Sequence, residues 1–458
     1  MLKSLQFSDK KHLSLPLLTI VACIVMALLF TILMVLAYCV PVSWVKQNVA
    51  ESAPYHSADI ESTVNEDYWT YHSDYTVRTM LSMVSHGGDD PLKDSMRGYW
   101  YKSGNDASNW ILDGLNEPPN QTYERYWNGW MVLLRPLFVI LNYGQVKQLF
   151  WIAFLILLAI ASASLAEKLK DGRLYACALC VALITIAPHA VGSLVYSYII
   201  LLALGSIIWV INRFSRPLSR ILRKELLLGF FVIGGITQYL DFLTFPALTL
   251  IMPLVVYLLA AKEYETQATP TKELAKKLFI LTLGISMFWC LGYGLLWASK
   301  WVIGSIVLGQ DIISSSFNQV LFRTGATGSG FGVSEPISEW KGIEISALSS
   351  IKLQIEALLP WVKPWMIIIA ALVLLAFLVP IRKDHRTLCV AVFLLAASLL
   401  PYVWFAVASN HSIIHFSFTY RLQAATIFAF GCYIVLCWNA IRARKTKLLK
   451  ESQTRTEA

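Results

Sequence analysis

The sequence is poor in charged residues. Asp, Glu, Lys and Arg make up 15% of its 458 residues and apolar residues make up 56%, whereas about 25% charged residues is usual in soluble domains. This composition excludes an ordinary soluble domain and indicates an integral membrane protein. Residues 15–40 form an apolar run that is too long for a signal peptide. We therefore expect a retained first span, because about 20 helical residues cross a hydrocarbon core of about 30 Å.

Several functional signatures are also missing. No G-x-x-x-x-G-K-[ST] motif is present, which excludes ATP-driven transport by a P-loop on this chain. All eight cysteines lie in apolar segments, so no disulfide framework is predicted. The net charge is +9, yet no basic stripe alternates with aromatic residues in a polar region, and we expect no nucleic-acid partner.

The basic residues instead follow the pattern of a multi-pass membrane protein. Six basic clusters hold 24 of the 38 Lys and Arg residues, and the positive-inside rule places them in the cytoplasm. An even number of crossings must join consecutive clusters, which predicts five hairpins and about ten transmembrane helices in one all-α polytopic domain, 1–458. The N-terminus and the tail 442–458 are then cytoplasmic, and the plasma membrane is the expected location.

Two polar regions, 41–146 and about 300–363, remain for the outer face. The segment Trp130–Tyr143 is apolar enough to resemble a span, but Arg135-Pro136 would be costly at mid-bilayer. Counting it as a span would also place the cluster after Glu167 outside. We therefore predict interfacial helices here, anchored by aromatic residues.

Carboxylates lie among aromatic residues in the first outer region. Asp74 follows Thr70-Tyr71-His72-Ser73, and a carboxylate near a low-dielectric interface can act as a general base on an acceptor hydroxyl. The alternative is that Asp74 caps a helix, which does not exclude the first role. Glu66-Asp67 and Asp89-Asp90 are pairs that a divalent-metal enzyme could use, but neither has a companion at ligand spacing.

The most informative carboxylate is Asp241. It stands between two apolar arms in the segment 238–244, which has no other charged residue. An ionisable residue in such a position is by default a functional candidate. The alternative is a polar tip that reaches interfacial water.

The last outer tip carries the histidines of the candidate site. His411 and His415 are four residues apart, but no H-E-x-x-H motif accompanies them, so no metal site is predicted. Arg421 follows near the start of the tenth span, where its planar guanidinium suits a lipid-linked phosphate. Interfacial snorkelling is the alternative. Further cations expected on the outer side are Lys300, Arg323, Arg125 and Arg135.

In its organisation the chain resembles the GT-C superfamily of membrane glycosyltransferases. The matching features are the first span, the large first outer loop with an acidic residue, the many further spans and the late second outer loop. The tip from His411 to Arg421 also looks like a segment of bacterial GT-C-like proteins. The resemblance implies a catalytic carboxylate in the first outer loop and a polyprenyl-phosphate sugar donor. It favours Asp74 as the base, with Asp67 second, and Arg421 as the phosphate partner.

The function expected from sequence is therefore transfer of a sugar from a polyprenyl-phosphate lipid to a glycan, lipid or protein acceptor in the cell envelope. A transporter or flippase of lipid-linked sugar is one alternative, and a polysaccharide polymerase is another. No cofactor is firmly expected, and a divalent cation such as Mg²⁺ or Mn²⁺ stays open.

Overall fold

The computed structural model describes residues 14–56, 74–103, 110–186, 190–265, 270–325, 339–340, 342–359 and 363–457. Within these ranges the secondary structure is almost entirely helical, apart from a short hairpin that pairs Glu339–Trp340 with Ile343–Glu344. The α-helices are, in chain order, α1 Leu15–Tyr38, α2 Val42–Ala50, α3 Asp74–Val84, α4 Pro91–Arg97, α5 Trp110–Gly114, α6 Met131–Leu137, α7 Tyr143–Lys168, α8 Gly172–Ile184, α9 Ser197–Phe214, α10 Arg220–Leu240, α11 Leu248–Tyr264, α12 Thr271–Leu308, α13 Ile312–Arg323, α14 Ala347–Leu358, α15 Pro364–Ala376, α16 Leu378–Ile381, α17 His385–Val407, α18 Ser409–Ile414, α19 Phe416–Thr419 and α20 Gln423–Glu457.

Among the residues that the structure describes, six helical segments are long and apolar enough to cross a membrane: Leu15–Tyr38, Tyr143–Lys168, Ser197–Phe214, Thr271–Leu308, His385–Val407 and Phe416–Thr454. They support the expected all-α membrane protein. Ten crossings stay a prediction. Two of the additional segments that ten crossings require, α8 and α11, have only 13 and 17 residues.

The centre of the bundle is α11, whose residues 248–261 are all buried. It is surrounded by α9, α10, α12, α17 and α20. Helices at the periphery instead expose large aliphatic side chains, such as Leu28 of α1 at 57% and Ile152 of α7 at 55%. Exposed apolar surface of this extent is typical of helices that face lipid.

Helices α10 and α12 approach each other through glycines. A Cβ on Gly234 would lie 2.1 Å from the Trp289 carbonyl oxygen, and a Cβ on Gly292 would lie 1.9 Å from the Phe231 carbonyl oxygen. Both positions therefore require glycine for close packing of the two backbones, as is common between membrane helices.

The region 41–146 contains short helices that pack on one end of the bundle. Its last apolar piece forms α6, whose seven residues span about 10 Å, too little to cross a bilayer. The side chain of Asn142 then caps α7 by accepting from the Gln145 amide. Asp90 likewise caps α4 by accepting from the Lys93 amide, so a member of the Asp89-Asp90 pair has a local structural role.

Candidate functional site

The turn after α10 buries the carboxyl group of Asp241, which is 3% exposed. Its oxygens accept hydrogen bonds from the Thr244 amide at 3.0 and 3.1 Å and from the Thr244 hydroxyl at 2.5 Å. Leu243 adopts a positive φ of 62°, which few non-glycine residues do. Burial raises the pKa of Asp241 to about 7, although the hydrogen bonds from Thr244 oppose the shift. The carboxyl group can therefore exchange a proton near neutral pH.

His411 joins this turn to the last tip of the chain. Its Nε2 lies 2.5 Å from the Leu243 carbonyl oxygen, and because a carbonyl only accepts, Nε2 carries the proton. Its Nδ1 accepts from the Arg323 guanidinium at 2.8 Å. Burial and the charge of Arg323 hold the pKa of His411 well below its usual range. His411 is therefore neutral, with one defined tautomer.

His415 and Arg421 extend the same tip. The ring centroids of His411 and His415 are 4.8 Å apart, and His415 stacks on Phe418. The Arg421 guanidinium donates to the Ser417 carbonyl oxygen at 2.8 Å and lies over the ring of Tyr196 at 4.7 Å. It is completely buried, whereas a snorkelling arginine would extend its head group into water.

Aromatic contacts connect the tips. Tyr196, which lies under Arg421, has its ring centroid 5.8 Å from that of Phe245 in the turn after Asp241. The rings of Tyr196 and Phe418 are 6.1 Å apart. The structure therefore brings Asp241, His411, His415 and Arg421 to the same end of the bundle.

The end of the first polar region packs against this turn. The Gly129 amide donates to the Tyr239 carbonyl oxygen at 2.8 Å, and a Cβ on Gly129 would lie 2.3 Å from the Tyr239 ring. The rings of Trp130 and Phe242 are 5.2 Å apart. This contact fixes one side of the region 41–146 next to Asp241.

Several buried polar atoms near Asp241 make no hydrogen bond within the described chain. They include both amide atoms of Gln238, one helical turn before Asp241, the indole nitrogen of Trp130 and the hydroxyl of Tyr293. Tyr293 is close enough to Asp241 for the two to interact electrostatically. Buried polar groups are normally hydrogen-bonded, so these atoms are donors and acceptors whose capacity the described chain does not use.

Lys300 has a packing role. Its ammonium group donates to the carbonyl oxygens of Met96 at 2.9 Å and Ser95 at 3.4 Å, at the C-terminal end of α4. It also lies 5.7 Å from the Trp127 ring centroid. A cation at the C-terminus of a helix is electrostatically favourable, so Lys300 joins α4 to α12.

Arg125 makes its hydrogen bonds to α12 through its backbone carbonyl group. Its carbonyl oxygen accepts from the indole nitrogens of Trp297 at 2.9 Å and Trp301 at 3.1 Å. Its guanidinium lies 5.9 Å from the centroid of the Tyr123 ring. These contacts anchor the segment before Trp127 on α12.

Arg135 occupies a second buried position, on α6. It is 1% exposed and lies 4.5 Å from the ring centroid of Tyr38, next to Gly87. Burial lowers its pKa, and the carboxyl group of Asp94 opposes that shift. Its neighbours belong to α1 and to residues 87–94, so it lies outside the contacts that join the two tips.

Two expected carboxylates cannot be placed in the site. Asp67 lies outside the described residues, and Asp74 begins α3 but its side chain is likewise outside them. Sequence reasoning missed Gln238, Tyr293 and Thr244, and it gave Arg323 no specific role. An amide in the mainly apolar C-terminal part of α10 was the available signal for Gln238.

The histidines do not form a metal-binding set. In the described part of the chain, no three His, Cys, Asp or Glu residues come together at ligand spacing. Both ring nitrogens of His411 are already used, one toward Leu243 and the other toward Arg323. The residues at the tip therefore do not fit a divalent cation.

The site at this end of the bundle thus combines a buried carboxyl group that can take up a proton, a neutral histidine held by an arginine, a buried guanidinium and aromatic walls. Comparisons with protein-family models, with curated proteins and with solved structures found no match for this chain.

Proposed function

We propose that the chain is a membrane glycosyltransferase of the GT-C type, which transfers a sugar from a polyprenyl-phosphate donor to an acceptor hydroxyl on the outer face of the membrane. The observation that carries the proposal is the Asp241 carboxyl group, which is buried, has a pKa of about 7 and is surrounded by polar atoms without partners in the described chain. A general base works best when its pKa lies near the working pH.

In this reaction Asp241 acts on the acceptor. Its carboxylate takes the proton of the acceptor hydroxyl while the oxygen bonds to the anomeric carbon of the donor sugar. The bond from that carbon to the phosphate oxygen breaks, and polyprenyl phosphate leaves with the electron pair. This single displacement inverts the configuration at the anomeric carbon.

The surrounding residues would favour the charge changes of this step. Arg421 and Arg323 place two guanidinium groups at this end of the bundle, and their charge stabilises the departing phosphate. His411 holds Arg323 against the turn of Leu243, so we assign it a positioning role. Partly exposed aromatic rings next to this turn, such as Tyr123 and Phe242, are suitable platforms for a sugar ring.

The test is transfer of ¹⁴C-labelled sugar from a panel of polyprenyl-phosphate hexoses in membranes that contain the chain. Asp241→Asn should lower transfer at least 100-fold, since a general base contributes roughly 10²–10⁴-fold. The control is Asp311→Asn, because Asp311 is an exposed helix cap and asparagine caps equally well. Asp74→Asn tests the base that the family resemblance favours.

The pH dependence gives a second readout. Below a pKa of about 7 Asp241 is protonated and cannot accept the hydroxyl proton, so wild-type transfer should fall about tenfold for each pH unit. If Asp241→Asn transferred sugar at the wild-type rate, Asp241 would not be the general base. If wild-type membranes transfer no sugar but move lipid-linked sugar between leaflets, the chain is a transporter.

A further inference from the structure

A large groove lies at the opposite end of α10 from Asp241. It has a volume of about 1230 Å³ and runs between α1, α9 and the part of α10 from Arg220 to Ile233. Its basic end, at Arg220, lies about 30 Å from the Asp241 turn along α10, and its nearest lining residue, Ile233, lies about 12 Å from that turn, at 1.5 Å per residue. No residue that lines the groove belongs to the contacts around Asp241. The groove is therefore distinct from the candidate active site.

The walls of the groove are mainly apolar. They include Leu18, Leu202, Trp209, Leu228 and Val232, all of which are partly exposed. The groove thus opens sideways, between helices whose apolar surface faces lipid. Its volume exceeds the roughly 300–1,000 Å³ of pockets for drug-sized ligands, and its walls suit long hydrocarbon chains.

One end of the groove is positively charged. Arg220 and Lys224 line it, and they lie one helical turn apart at the start of α10. Glu225 also lines it, but its carboxylate is paired with the Arg213 guanidinium, whose Nη2 donates to Oε2 at 2.6 Å. Arg213 therefore offsets the charge of Glu225, and the exposed guanidinium of Arg220 carries a positive charge at this end of the groove.

The width of the groove depends on glycines. A Cβ on Gly205 would meet no atom within 4 Å, so this position borders open space. A Cβ on Gly229 would lie 2.1 Å from the ring of Trp209, so the absence of a side chain there lets the indole lie flat against α10. Together the two glycines keep the groove open.

We propose that this groove binds an anionic glycerophospholipid of the surrounding membrane. The acyl chains lie along the apolar walls, and the head-group phosphate lies between Arg220 and Lys224. Basic pockets between membrane helices favour anionic head groups in this way.

The test is native mass spectrometry and thermal unfolding of the full chain in detergent, with phosphatidylglycerol and phosphatidylcholine as probes. Wild type should bind phosphatidylglycerol at least about tenfold more tightly, because each basic residue near an anionic lipid contributes roughly fivefold. Gly205→Leu should lose this binding, since a Cβ at this position meets no atom within 4 Å and the leucine side chain would extend into the groove. Gly294→Leu is the matched control, because a Cβ there also meets nothing within 4 Å and Gly294 lies outside the groove.

A second variant separates the head group from the chains. The double variant Arg220→Gln, Lys224→Gln should bind phosphatidylglycerol and phosphatidylcholine with equal affinity. Binding of the acyl chains should remain. Equal binding of both lipids by wild type, or undiminished binding by folded Gly205→Leu, would overturn the proposal. If undecaprenyl phosphate displaces phosphatidylglycerol when present at a tenth of the phosphatidylglycerol concentration, the groove binds undecaprenyl phosphate instead and the proposal is overturned. None of these outcomes depends on sugar transfer.

Discussion

The polar groups at the two ends of α10 differ in their exposure. At the C-terminal end, Asp241 is 3% exposed and bonded to its own turn, and neighbouring tips close over it. At the N-terminal end, Arg220 is exposed and lines an open groove. One end holds polar groups in fixed positions away from water, and the other leaves charge accessible to a ligand.

The difference shows what each end can do. Proton transfer requires groups in fixed positions in a low-dielectric environment, which the Asp241 end has. Binding of a lipid head group requires only accessible charge beside an apolar wall, which the Arg220 end has. Because no residue that lines the groove belongs to the contacts around Asp241, we expect the two ends to work independently.

The strongest effect should come from disrupting the packing of that shared helix. Gly292→Ala places a Cβ 1.9 Å from the Phe231 carbonyl oxygen, so α10 and α12 must separate, at a cost of roughly 3 kcal/mol. We expect a lower melting temperature and loss of both sugar transfer and phosphatidylglycerol binding. Gly294→Ala, two residues away, meets no atom within 4 Å and should leave all three unchanged. Equal melting temperatures for the two variants would contradict the close contact.

An intermediate effect concerns the Asp241 end alone. Folding raises the pKa of Asp241 from 3.8 to about 7, so between these pH values the folded chain holds a proton that the unfolded chain releases. Wild-type stability should therefore fall as the pH rises from about 4 to about 7. The amide introduced by Asp241→Asn has no such proton to lose, and its oxygen could still accept from Thr244.

The measurement is the melting temperature of wild type and Asp241→Asn in detergent across this pH range. The advantage of the variant should grow toward neutral pH, while phosphatidylglycerol binding stays unchanged. A difference that is constant with pH would show that the Asp241 carboxyl group titrates at the same pH in both states.

The weakest effect concerns the Arg220 end. Arg220 is exposed, so Arg220→Gln should change the free energy of unfolding by less than about 0.5 kcal/mol. It should weaken phosphatidylglycerol binding roughly fivefold and leave sugar transfer at the wild-type rate. Arg382→Gln, an exposed change outside the groove, is the control. Loss of transfer in Arg220→Gln would show that the two ends are coupled.

Local composition was enough to predict the helical membrane architecture. Apolar runs such as 15–38 and 143–168 need no distant partner to form helices long enough to cross a bilayer. Arg135-Pro136 likewise indicated that the segment 130–143 would not form a span, and the helix found within it has seven residues. Isolated polar residues at apolar tips also identified Asp241 and His411 as candidates.

Which of these residues meet depends on the packing of distant segments. His411 and Leu243 are 168 residues apart in the chain, and Arg323 reaches His411 across 88 residues. Lys300 looked like a free cation until its contact with the end of α4 was seen. Periodicity and composition describe the faces of each helix, but helix packing sets which faces touch. That packing depends on close approaches such as Gly234 and Gly292, where the sequence records only the absence of a side chain.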